Sequence, residues 1–185
     1  MWSSSVQTGA ELSIAGISAK NLAKEFGTPT FFIDETDFYA RAAAWNVALK
    51  ESFGSNAGTV YYAAKAFICT EVARWIKDVG IGIDVCTGGE LSVALAGGID
   101  PAKIELHGNN KSVAEIEKAV ASGVGTIVID SLYEIQRVAT AAVTANKVQR
   151  VLLRLTPGIE AHTHESIATA HEDVKFGFSI ASGAA

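Results

Sequence analysis

Beyond residue 55 the chain alternates between two hydrophobic rhythms. Short β-branched and apolar runs, Thr59–Tyr62, Ile81–Ile83, Lys103–Leu106, Thr126–Ile129 and Val151–Leu153, have the length and content of buried strands. Between them apolar positions recur at helical spacing. From Ser112 to Ser122 these are Val113, Ile116, Ala119 and Val120, with Glu115, Glu117 and Lys118 mostly on the other side. Ser112 with Glu115, and Ser131 with Glu134, carry the S-x-x-E pattern that satisfies the free amides of a helix start, and Gly123 stands where a left-handed residue ends a helix. Before residue 55 the pattern predicts a short helix from Ala19 to Phe26 stopped by Gly27, a strand over Thr30–Ile33, and a longer helix from Glu35 to Phe53 carrying Trp45 and Leu49.

The predicted strands run into polar residues, Lys65, Asp84, His107, Asp130 and Arg154, at intervals of about 19 to 24 residues, which fits one strand, one helix and two turns. Such a βα array makes a parallel α/β sheet, either open and doubly wound or closed as a (β/α)8 barrel. Both build sites at the carboxyl ends of their strands. Five barrel-type strands are legible where a closed barrel needs eight over about 250 residues, and the pattern predicts the start of a further helix just before Ser182, so the expectation is an incomplete barrel.

Composition narrows the function. Of 185 residues 49% are hydrophobic and 19% charged, enough for a sizeable core. A net charge of -5 argues against nucleic-acid or anionic-membrane partners, which require clustered basic residues. No apolar run approaches the ~20 residues that span a bilayer, and Met1–Gln7 lacks a signal-peptide pattern. Cys69 and Cys86 form no CxxC pair, so no disulfide framework or thiolate zinc site is indicated. The expectation is a cytoplasmic protein.

Candidate chemistry gathers at the strand ends. Lys65, in Tyr62-Ala-Ala-Lys-Ala-Phe67, follows a predicted buried strand, where partial desolvation would favour the neutral, nucleophilic amine; the alternative is a lysine snorkelling to solvent. Asp84 suits either a charge partner or the N-cap of the Gly88-Gly89-Glu90 turn. His107 precedes Gly-Asn-Asn, which allows close approach to a ligand, or is a hydrogen-bonded core residue. Arg154 falls inside an apolar run and needs a fixed acceptor, either a ligand oxygen or a carboxylate such as Asp130. Asp130 itself reads as a cap or turn residue. His162, His164, Glu165 and His171 lack a metal-ligand spacing, so no metal is expected. Gly88-Gly89 could approach a phosphate, but a plain turn is the commoner use, and Gly123-Val-Gly125 precedes a strand and is no dinucleotide fingerprint.

Tyr62-x-x-Lys65-Ala66-Phe67, Asp84-Val-Cys-Thr-Gly-Gly-Glu-Leu91, His107-Gly-Asn-Asn-Lys111 and Pro157-Gly-x-Glu-Ala-His-Thr-His-Glu165 running to Lys175-Phe-Gly177 together resemble the alanine-racemase-like barrel decarboxylases. Within that group they most resemble the diaminopimelate decarboxylase family. The resemblance covers most of residues 27–183. It implies a fold-type III pyridoxal 5'-phosphate enzyme that converts meso-2,6-diaminopimelate to L-lysine and CO2 in lysine biosynthesis. Ornithine or arginine decarboxylases, a racemase, or a non-catalytic half-barrel are the alternatives. It further implies that Lys65 carries the cofactor covalently, that Asp84 sits beside that lysine, that His107 and Arg154 line the cofactor pocket, and that the His162–Glu165 stretch forms a loop over the site. Residues 1–28 would be an N-terminal extension with a short helix and 29–185 the first part of the cofactor-binding barrel. In the family, the remaining strands, a glycine-rich phosphate loop and a C-terminal β domain complete a homodimeric enzyme, so these residues alone are expected to be inactive.

Overall fold

The structure, a computed structural model, describes residues 5–54, 58–158 and 176–185. It divides into two compact units, residues 1–60 and 61–185.

The first unit opens with an antiparallel sheet of β1 (Ser5–Thr8), β2 (Glu11–Ile14) and β3 (Ile17–Ser18). The sequence reading missed it, because the strands are too short for their alternation to stand out. Its second turn is legible afterwards: Ala15 and Gly16 both have positive φ, the twist that a two-residue hairpin demands. Helix α1 (Ala19–Phe26) and helix α2 (Glu35–Phe53) follow as expected, α2 capped by Asp34, whose Oδ1 accepts from the Thr36 and Asp37 amides. Thr30–Ile33 is not a strand. The segment joins the two helices and has no ladder partner among the described residues, and without a partner an extended apolar run forms no sheet.

The second unit is a five-stranded parallel sheet of β4 (Tyr61–Ala63), β5 (Gly82–Val85), β6 (Ile104–Leu106), β7 (Thr126–Ile129) and β8 (Val151–Leu153), hydrogen-bonded in that order. Helices α3 (Thr70–Val79), α4 (Gly88–Ala96), α5 (Val113–Ser122) and α6 (Leu132–Thr144) connect successive strands. Spatial order equals chain order, with no reversal. Right-handed crossovers then place every helix on the same face, which is the winding of a barrel and not of a doubly wound sheet.

Burial alternates along β6 and at the end of β5, while β7 is buried along its whole length. Ile83 and Val85, Ile104 and Leu106, and Ile127 and Ile129 are buried together with Val72 and Ile76, Leu91, Ile116 and Val120 from the helices. Asp84 and Glu105 alternate onto the opposite face. One expectation is corrected at the edge: Val151, Leu152 and Leu153 are 41%, 43% and 54% exposed, because among the described residues β8 has β7 as its one ladder neighbour. A short parallel pair, β9 (Leu155–Thr156) with β10 (Phe178–Ser179), closes the described chain. Among the described residues no helix is long and apolar enough to cross a membrane.

Candidate active site

A cavity of about 620 Å³ opens at the carboxyl ends of the strands, within the range of small-molecule sites. Lys65, Asp84, His107 and Arg154 all line it. Four residues separated by as much as 89 positions meet there because each ends or follows a neighbouring parallel strand.

Lys65 sits on the single turn Ala64–Ala66 just beyond β4. The Tyr62 hydroxyl donates to the Phe67 carbonyl at 2.7 Å and closes that turn. The desolvation expected of Lys65 is not observed. It is exposed, since the turn carries it past the buried part of the strand.

Asp84 is the centre of the charge arrangement. Burial pushes its carboxyl up, while the charges of His107 and Lys65 draw it back. Its Oδ1 lies 3.9 Å from His107 Nε2 and accepts from the Cys86 thiol at 3.8 Å. It caps no helix, because Thr87 accepts from the Glu90 amide at the start of α4. Glu105, directly opposite Asp84 in the ladder, approaches the same histidine nitrogen at 3.5 Å. Sequence reasoning missed Glu105, although its place two residues before His107, which directly follows β6, lets both side chains point to the same side of the extended chain. Cys86 stays a thiol at neutral pH: burial, then the charges of Asp84 and Glu90, push it up to about 11.

Three carboxylates lock the turns that present these groups. Glu90 accepts from the Cys86 amide at 2.6 Å, and Glu134 accepts from the Asp130 amide at 2.8 Å. The second contact corrects the expected Ser131 box: Glu134 reaches one residue further back, and the Ser131 side chain makes no capping bond. Ser112 and Glu115 do form the reciprocal box. Glu115 also crosses to the preceding helix, where its Oε1 accepts from the Gly88 amide at 2.7 Å. A Cβ on Gly88 would stand 2.9 Å from Glu115 Cγ, so the close approach depends on glycine. Gly88 and Gly89 thus open α4, not a plain turn, and the Gly88 amide is already taken by Glu115.

Hydrogen bonds from the Ser112 and Gly88 amides hold the Glu115 carboxyl below its ordinary range. Its native pKa lies under its unfolded one, so its stabilisation is complete above the ordinary glutamate range and fades as pH falls through the depressed value. Glu115→Ala is expected to cost about 1 kcal/mol at neutral pH. Urea unfolding at a series of acidic pH values should show the gap to the parent protein closing; a gap constant with pH would contradict this role.

Lys111, the last residue of the His-Gly-Asn-Asn-Lys stretch, is buried and lies 3.1 Å from Glu134 Oε2. It also donates to the Gly108 carbonyl, pinning the loop that follows His107. Arg154 stands between β8 and β9, not within a buried strand. Its Nη1 is 3.6 Å from Asp130 Oδ1 and its guanidinium lies over the Phe176 ring. The histidines and glutamate of the 160–171 stretch lie outside the described residues.

Residues 35–185 match the family described as pyridoxal-dependent decarboxylase, pyridoxal binding domain. The chain belongs to the pyridoxal-dependent decarboxylases. Among curated relatives of this decarboxylase chain, the diaminopimelate decarboxylase of Mycobacterium bovis is 59% identical over 93% of the chain and 37% of its own length. That of Corynebacterium efficiens is 44% identical over 97% and 38%. A crystal structure of diaminopimelate decarboxylase from M. jannaschii in complex with L-lysine superposes with a TM-score of 0.84 at 26% identity, covering 99% of the chain and 43% of that structure. The decarboxylase chain thus spans well under half the length of these relatives. Pyridoxal phosphate is the cofactor of the family, and the chemistry of the lining fits it: the Lys65 amine would suit its carbonyl carbon, Asp84 would supply an anionic counterweight, and Arg154 a cation for its oxygen substituents.

Proposed function

We propose that this chain is part of the cofactor-binding barrel of a diaminopimelate decarboxylase, releasing CO2 from meso-2,6-diaminopimelate to give L-lysine. The observation that carries the reading is the meeting of Lys65, Asp84, His107 and Arg154 in one cavity of a chain 59% identical to a relative of that name.

Pyridoxal phosphate, when bound, supplies the electron sink for the pair left behind by the departing carboxylate. The chain's own residues set the stage for it. Lys65 presents its amine from a short turn, where it can attach and release without moving a strand. Asp84 holds negative charge close to that amine. His107 lines the cavity with its Nε2 within 3.9 Å of Asp84 and 3.5 Å of Glu105. Arg154 faces the cavity from the far edge.

The complete enzyme is proposed to be a cytoplasmic homodimer acting on a free amino acid, and these 185 residues by themselves to be inactive. The test is turnover by the full-length enzyme, loaded with pyridoxal phosphate, of meso-diaminopimelate, ornithine, arginine and lysine in parallel. Lysine and CO2 from diaminopimelate are expected. Turnover of ornithine or arginine without lysine formation would assign the chain to a sister decarboxylase instead.

A further inference from the structure

We infer that Asp130 and Phe176 act together as positioning residues that hold the Arg154 guanidinium at the wall of the cofactor cavity, an inference that rests on the function proposed above. Asp130 is 5% exposed at the end of β7. Its Oδ2 accepts from the Gly177 amide at 3.1 Å, while its Oδ1 is buried with no hydrogen-bond donor among the described residues. Among the described residues the cation nearest that oxygen is Arg154, whose Nη1 stands 3.6 Å away, too long for a hydrogen bond but close enough for attraction to a carboxylate that is itself buried, although the guanidinium keeps partial contact with solvent.

A buried carboxylate so placed requires a compensating cation, and that requirement restrains an otherwise flexible side chain. A face of the guanidinium lies over Phe176, whose ring centroid is 4.2 Å from the guanidinium carbon.

The same carboxylate fixes the ring as well as the guanidinium. The Gly177 amide, bound to Asp130, belongs to the residue after Phe176. Gly177 has a φ of +71°, and a Cβ there would come within 2.7 Å of the Arg154 carbonyl, so the backbones approach as closely as glycine permits. The Phe178 amide donates to the Arg154 carbonyl at 2.8 Å, and Thr156 Oγ1 donates to the Phe176 carbonyl. Anion, cation and ring are therefore one assembly with Asp130 as its hub. Arg154 and Phe176 both line the cavity, whereas Asp130 stands behind them and acts through them.

The test is a double-mutant cycle on the full-length enzyme, reading the dissociation constant of pyridoxal phosphate by fluorescence titration. Asp130→Asn preserves shape and an acceptor for the Gly177 amide while removing the charge. It is expected to weaken cofactor binding about ten-fold in the parent and less than about two-fold in an Arg154→Leu background, the signature of residues acting through one another. An equal loss in both backgrounds would overturn the positioning role. Should Asp130→Asn fail to fold, Phe176→Leu reads the same assembly from its other side. It is expected to cost about three-fold with Arg154 present and nothing without it, and additivity there overturns the inference likewise. If the unsubstituted enzyme binds no pyridoxal phosphate, the proposed function fails and this inference falls with it. Cofactor binding with additive losses removes the positioning role alone.

Discussion

Replacing Lys65 by alanine in the full-length enzyme will abolish the visible absorbance of lysine-bound pyridoxal phosphate and slow turnover by at least about 1,000-fold, equivalent to about 4 kcal/mol of barrier. The effect is expected to be this large because, among the described residues, no second lysine lines the cavity. Lys111 is near in sequence to His107, but its amine is buried against Glu134 and the Gly108 carbonyl, and freeing it would leave a carboxylate stranded in the core. Because Lys65 is exposed on a short turn, its loss should leave the unfolding transition where it was. The absorption spectrum and CO2 release of the purified variant decide the matter. A surviving band would mean that another lysine carries the cofactor.

The second large effect concerns stability. The Lys111 and Glu134 side chains are 1% and 3% exposed, and Glu134 Oε1 is buried without a hydrogen-bond partner among the described residues. Lys111→Met strands that carboxylate, and breaking a buried pair from one side costs about 3–5 kcal/mol. The double variant Lys111→Met with Glu134→Gln removes both charges but leaves an oxygen to accept from the Asp130 amide, so most of the loss should return. Chemical denaturation of the parent, single and double variants measures this. A single variant as stable as the parent, or a double variant no better than the single, would show that the pair is not the constraint described.

How much of this the sequence disclosed depended on the range of the interaction concerned. The βα rhythm is local, so strands β4 to β8 and the helices between them were readable from periodicity and capping residues, whereas β9 and β10 were not and the helix expected near Ser182 is a turn. The choice between barrel and doubly wound sheet needed the strand order, which periodicity does not contain. Lys65, Asp84, His107 and Arg154 could be singled out because each ends a strand, and they do share a cavity. Their partners were harder to see. Glu115 looked like a capping residue and is one, yet its second oxygen reaches 27 residues back to Gly88. Glu134 carried the same pattern but binds one amide further along, and its tie to Lys111 is a tertiary contact with no local signature. Asp130 read as a turn residue because its function is written in Arg154 and Gly177, at distances where spacing says nothing. The small N-terminal sheet escaped notice for the opposite reason: its strands are too short for any period to show.

The agreement between chain order and strand order also bears on how the sheet comes into being. Tyr61 pairs with Gly82, Ile83 with Ile104, Glu105 with Thr126 and Ile127 with Val151, so every ladder closes a stretch of about 20 residues and pays nearly the same loop entropy. No strand has to wait for a distant partner. Each addition extends an edge already present, which keeps contact order low and suits assembly from the N-terminal side while synthesis is still in progress. The cavity fills in the same sequence, with Lys65 and Asp84 facing one another before Arg154 has been made.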